Sequence, residues 1–124
     1  MRTMDTRLGY DAAVAEAHGQ QDALTALHTP AARPALFEHG HRTPVAVVWL
    51  HGYTNCPRHF EALGRQCHER GWNVWIPLAP HHGLADRMSS ATSLLTAREL
   101  ADWGSRAVDV ARGLGERVVV GGIS

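Results

Sequence analysis

From position 44 onward the chain alternates short apolar runs with longer stretches in which apolar residues recur at every third or fourth place. The run VAVVWL at 45–50 is uninterrupted, which suits a strand buried on both faces, as in a parallel sheet. The stretch PRHFEALGRQCHERG at 57–71 puts Phe60, Leu63, Gly64 and Cys67 on one helical face, with Pro57 at the first helical position and Gly71 as a stop. WNVWIP at 72–77 reads as a second strand. In TARELADWGSRAVDVARGLG at 96–115, Thr96 and Glu99 have the spacing of a capping box. Leu100, Trp103, Ala107, Val110, Ala111 and Leu114 then line one side of a helix that Gly115 ends. RVVVG at 117–121 is the third strand. Strand, helix, strand, helix, strand make two successive βαβ units, whose right-handed crossovers set the strands parallel. The expected class is therefore α/β, a three-layer sandwich around a mostly parallel sheet.

Upstream the pattern is looser. YDAAVAEAHGQQDALTALH at 10–28 is Ala-rich with Leu24 and Leu27 near its end, and reads as a helix despite Gly19. TPAARPALFEHGHRTP, with three Pro and a Gly, reads as a connector with at most a short strand at Ala35 to Phe37. Residues 1–34 are thus expected to form an N-terminal helical extension to a unit spanning 35–124.

Composition narrows the function. Apolar residues make up 44% of the 124 and charged residues 19%, a mixture that folds as one modest domain. Twelve acidic residues balance twelve basic ones, and every basic residue is Arg. A neutral balance argues against nucleic acid or an anionic membrane as partner. Without Lys there is no P-loop lysine either. The longest apolar run is far short of a membrane span, and MRTMDTRLGYDAAVAEAH lacks the apolar core of a secretory signal, so a cytoplasmic protein is expected. Cys56 and Cys67, with no CxxC and no secretory context, are expected to be reduced thiols.

Reacting groups of open α/β sheets collect where loops leave the C-terminal ends of the strands. Those ends read LHGYTNCP, PLAPHHG and GGIS. Gly122-Ile123-Ser124 matches the first half of G-x-S-x-G, a sharp turn that presents a serine nucleophile and needs a small residue two places before it. On its letters alone this is a glycine turn at a strand end, or a dinucleotide-binding phosphate loop starting at Gly121. The phosphate loop normally follows the first strand of its domain, whereas two βα units precede this one. His51-Gly52 directly after the first strand stands where acyl-transfer enzymes of this architecture form an oxyanion hole, with Gly52 turning the chain so that the Tyr53 N–H faces the site.

In these three ordered motifs the chain resembles the α/β-hydrolase superfamily, and within it the bacterial esterase and monoacylglycerol-lipase-like branch, related to the serine aminopeptidase (S33) type. The resemblance covers about residues 35–124 through WLHGYTNCPRHFEALG, GWNVWIPLAPHHGLADRM and ARGLGERVVVGGIS. It implies that Ser124 is the nucleophile, that Tyr53 gives an oxyanion N–H with His51 and Gly52 shaping its loop, and that Gly122 and Ile123 form the elbow. It implies hydrolysis of a small-molecule ester without metal or organic cofactor. It also implies a chain that is the N-terminal half of the fold, cut at the elbow, and inactive alone because the acid and His of the triad follow the serine in this family. His51 and His82 are expected to tie loops together rather than act as base, and no metal-ligand spacing surrounds His51, His81 and His82. His18, His28, His39, His41, His59 and His68 are expected to face solvent, and Trp49, Trp72, Trp75 and Trp103 to pack in the core. Periodicity does not reach oligomeric state or acyl preference.

Overall fold

A computed structural model of the chain describes residues 8–85 and 91–123. Among the described residues three α-helices, α1 (Tyr10–Asp22), α2 (Glu61–Glu69) and α3 (Ala97–Leu114), surround four strands, β1 (Ala35–Phe37), β2 (Thr43–Leu50), β3 (Asn73–Ile76) and β4 (Gly115–Gly122). The sheet order is β1-β3-β2-β4. β2 runs parallel to both β3 and β4, and only the short β1 is antiparallel to its neighbour. The two βαβ units read from the sequence are present, in a mostly parallel sheet with helices on both faces.

The period of two along the strands explains the three layers. Ala46 and Val48 of β2 and Trp75 of β3 are buried with Ala13 and Ala17 of α1 and Ala107, Val110, Ala111 and Leu114 of α3. The alternate residues, Val47, Val74 and Ile76, pack with Ala35, Phe60, Trp49 and Cys67 on the α2 face. Small residues at Ala13 and Ala17 let α1 approach α3 closely. The Tyr10 hydroxyl donates to Glu38 beyond β1, which fixes the start of that helix.

Several element limits differ from the expectation for identifiable reasons. α1 ends at Asp22 instead of reaching 28, because the segment after it is drawn to the loop following β3. There Thr29 N–H donates to Gly83 O at 2.8 Å and Ala85 N–H to Leu27 O at 2.7 Å. Leu27 is exposed as a result. The helix expected at 57–71 starts as a 3-10 turn, Pro57–Phe60, before the α-helical part. Gly64 is the residue pressed on the sheet: a Cβ there would lie 2.9 Å from the Phe37 ring. Leu63, one residue round the helix, consequently faces outward rather than joining the apolar face. The buried positions of α3 begin at Ala107, so Leu100 is likewise exposed. The capping box is present, with Thr96 Oγ1 accepting from Glu99 N–H at 3.1 Å. Both cysteines are free thiols.

Histidines 39 and 68 do not face solvent as expected. Their rings stack with centroids 4.0 Å apart. His39 Nε2 bonds the His68 carbonyl, and His68 Nε2 the Glu38 carbonyl, each at 2.9 Å, which joins the end of β1 to the end of α2. Of the tryptophans, Trp75 is fully buried, whereas Trp49 and Trp72 pack at the margin of the α2-side core. Among the described residues no helix is long and apolar enough to cross a membrane.

Candidate active site

Leu50 of β2 is in register with Gly122 of β4. His51 and Ile123 therefore leave two neighbouring parallel strands side by side, at the sheet end where an α/β fold gathers its ligands. Both glycines before Ile123 are strand residues whose missing side chains matter. A Cβ on Gly121 would lie 2.2 Å from Cζ3 of Trp49, and one on Gly122 would lie 2.6 Å from the Leu50 carbonyl oxygen. Gly122 is thus small because β2 lies against it, not only because a following helix would. Gly121 is paired with Trp49 inside the ladder rather than opening a loop, which disfavours the phosphate-loop reading that begins there. Ser124, the expected nucleophile, lies outside the described residues.

His51 is 5% exposed. Its Nε2 accepts the Ala79 N–H at 2.9 Å and its Nδ1 bonds the Gly52 carbonyl at 2.9 Å. An acceptor at Nε2 and a carbonyl at Nδ1 require the neutral ring with the proton on Nδ1. Burial, foremost, pushes the His51 pKa below the usual histidine value, with His82 adding to it and the Gly52 bond opposing it. His51 therefore ties the loop after β2 to the loop after β3 as a neutral group.

The Gly52 carbonyl also accepts the Asn55 N–H at 3.1 Å, closing a turn with Tyr53 and Thr54 at its centre. In a planar trans peptide the N–H points opposite to the C=O, so holding the Gly52 oxygen inward turns the Tyr53 N–H outward from this turn. The Tyr53 side chain is 57% exposed, and its hydroxyl donates to the Thr92 carbonyl at 3.0 Å. His82, 5% exposed, lies edge-on to both His51 and Tyr53, with ring centroids 5.2 and 5.6 Å away. Its Nδ1 bonds the Pro80 carbonyl at 2.8 Å and its Nε2 the Tyr53 carbonyl at 2.9 Å.

Periodicity did not reveal the role of His81. It holds a left-handed backbone with φ 61°, uncommon for a residue with a side chain, and its Nε2 bonds Glu99 at 2.9 Å. The Thr96 N–H first, and then His81, hold the Glu99 carboxyl below the usual carboxylate range. The only signal in the sequence was Glu99 as a capping residue. A cavity of about 360 Å3 opens beside this pair, between the end of α1, residues 77–82 and the first turns of α3, with Leu24, Leu78 and Trp103 in its walls and Arg106 and Asp102 at its rim. Trp103 was expected in the core, yet it borders this cavity and its ring centroid lies 5.3 Å from that of His51.

Helices on both faces of a sheet ordered β1-β3-β2-β4, with a His-Gly loop leaving β2 beside the end of β4, make up part of an α/β-hydrolase-like fold. Among solved structures, the fold is similar to one from work on LipS and LipT, two metagenome-derived lipolytic enzymes, with a TM-score of 0.66 at 20% sequence identity. The match covers 78% of this chain and 37% of that one, so the chain spans little over a third of its neighbour's length. No family model matches the sequence, and neither does any curated protein. The likeness extends to the α/β-hydrolase-like fold and does not select the serine aminopeptidase branch.

Proposed function

We propose that residues 35–124 are the N-terminal half of a serine hydrolase acting on carboxylic esters, and that residues 1–34 are an N-terminal helical extension to it, of which α1 packs on α3. The observation that carries this reading is the register of β2 with β4, which brings His51-Gly52-Tyr53 and the residue before Ser124 out of the sheet side by side. A fold neighbour described as lipolytic supports an ester as the substrate class. In the complete enzyme, Ser124 Oγ attacks the ester carbonyl as a downstream histidine, oriented by an Asp or Glu, takes its proton. The Tyr53 N–H and the N–H of residue 125 stabilise the oxyanion. Collapse expels the alcohol, which receives that proton, and leaves the acyl group on Ser124. Water, activated by the same histidine, then releases the acid. Short acyl esters or monoacylglycerols are the first substrates to try, and the chemistry needs neither metal nor organic cofactor.

A fluorophosphonate probe applied to the full-length protein that carries these residues is expected to label it at Ser124, and Ser124→Ala is expected to abolish labelling. Labelling unchanged by the substitution would remove Ser124 as nucleophile. The isolated chain of residues 1–124 is expected to remain unlabelled, since in this reading the base comes from a histidine downstream of Ser124.

A further inference from the structure

Tyr53 is more than half exposed on a loop, yet buried histidines from two different loops hold the peptide planes on either side of it. A residue has only two soft backbone dihedrals, and each flanking peptide plane fixes one of them. The His51 bond to the Gly52 oxygen fixes the plane that carries the Tyr53 N–H. The His82 bond to the Tyr53 oxygen fixes the next plane, and the two rings meet edge to face. The tyrosine hydroxyl on Thr92 O adds a third anchor. Exposed loop backbone is ordinarily mobile, so three anchors on one exposed residue point to a group that must not move.

We propose that His82 is a positioning residue for the oxyanion donor: by donating Nε2–H to the Tyr53 carbonyl while its Nδ1 bonds Pro80, it locks the backbone whose N–H receives the developing charge. The inference rests on the hydrolase reading above and adds to it a residue that touches no reacting atom. His82 is suited to the task because carbonyl oxygens only accept: the Tyr53 bond needs the proton on Nε2 and the Pro80 bond one on Nδ1, so the ring that carries both protons makes both bonds and a neutral ring makes one of them. An oxyanion donor stabilises the transition state only when it is already aimed at the site, since removing one such donor lowers kcat by roughly 100- to 1,000-fold. Loosening the donor without removing it is expected to cost less, roughly 10- to 100-fold.

The test compares His82→Phe, which keeps a ring against His51 and Tyr53 but has no donor, with His82→Gln, which keeps one. In the full-length protein, His82→Phe is expected to lower kcat for a short acyl ester at least tenfold with KM within twofold, and His82→Gln to recover most of that loss. A kcat within twofold for His82→Phe, or an equal loss in both variants, would overturn the proposal. A separate measurement needs no variant: the 15N shift of His82 Nε2 in the unsubstituted protein is expected to be that of a protonated nitrogen, and a bare Nε2 would refute the clamp. Absence of fluorophosphonate labelling at Ser124 would instead refute the hydrolase reading, and the Nε2 shift would still decide whether the clamp exists.

Discussion

The two ring nitrogens of His51 have opposite duties, one accepting from Ala79 and the other donating to Gly52, and a second proton would break the first of them. The fold therefore favours the neutral ring, and its pKa lies below that of an unfolded histidine, about 6.5. Such a group contributes stability that is fully present above the unfolded value and is lost as pH falls through the lower, folded one. Urea midpoints measured from pH 7 down to pH 5 are expected to fall, and His51→Gln, which has no ring to protonate, is expected to flatten that dependence. An equally steep curve in the variant would show that other groups cause it. The sequence signalled His51 and Gly52 because a His-Gly pair after an apolar run is a local pattern. It could not signal Asn73, which read as an ordinary strand residue. Asn73 is fully buried and gives its amide to the carbonyls of His41 and Leu114 at 2.8 and 2.9 Å while accepting from His39 N–H. Those partners lie about thirty to forty positions away in sequence, where no periodicity reaches.

Among the elements, β2 and α3 were the most legible, because a continuous apolar run and a capping box each report on a few adjacent residues. The end of α1 was not, because long-range pairing of 27–29 with 83–85 overrode local helix propensity. The pairing of β2 with β4 shows the same interplay at the site. Trp49 stacks on Phe60 with centroids 5.4 Å apart and fills the space above Gly121. Gly121→Val is expected to destabilise the chain by about 2–3 kcal/mol through overpacking against that indole. Combined with Trp49→Ala, it is expected to cost less than the sum of the two single changes, a coupling that denaturant unfolding of the four proteins would measure. Strict additivity would mean that the ring does not occupy the space the glycine leaves.

At the scale of the molecule, β4 has one partner strand among the described residues, and its free side is an edge. Val119 and Val120, which point to opposite faces, are 51% and 50% exposed. An eight-residue strand with a bare edge and exposed valines on both faces pairs readily with another chain. Residues 1–124 expressed alone are expected to self-associate, and Val119→Lys to shift the sedimentation profile toward monomer. A monomer that unfolds sharply without the substitution would contradict this.

The same register has a consequence in time. Thr43 to Leu50 pair with Gly115 to Gly122, so about seventy residues must be made between a strand and its partner. At ribosomal rates of roughly 5–20 residues per second, that interval is on the order of 4–14 s. Over that interval β3, only about twenty-five residues behind β2, is the first partner to arrive and shields one flank. The other flank of VAVVWL stays bare until the Gly-Gly strand emerges, so a nascent chain stalled before residue 115 is the species from which chaperones have most to protect this protein.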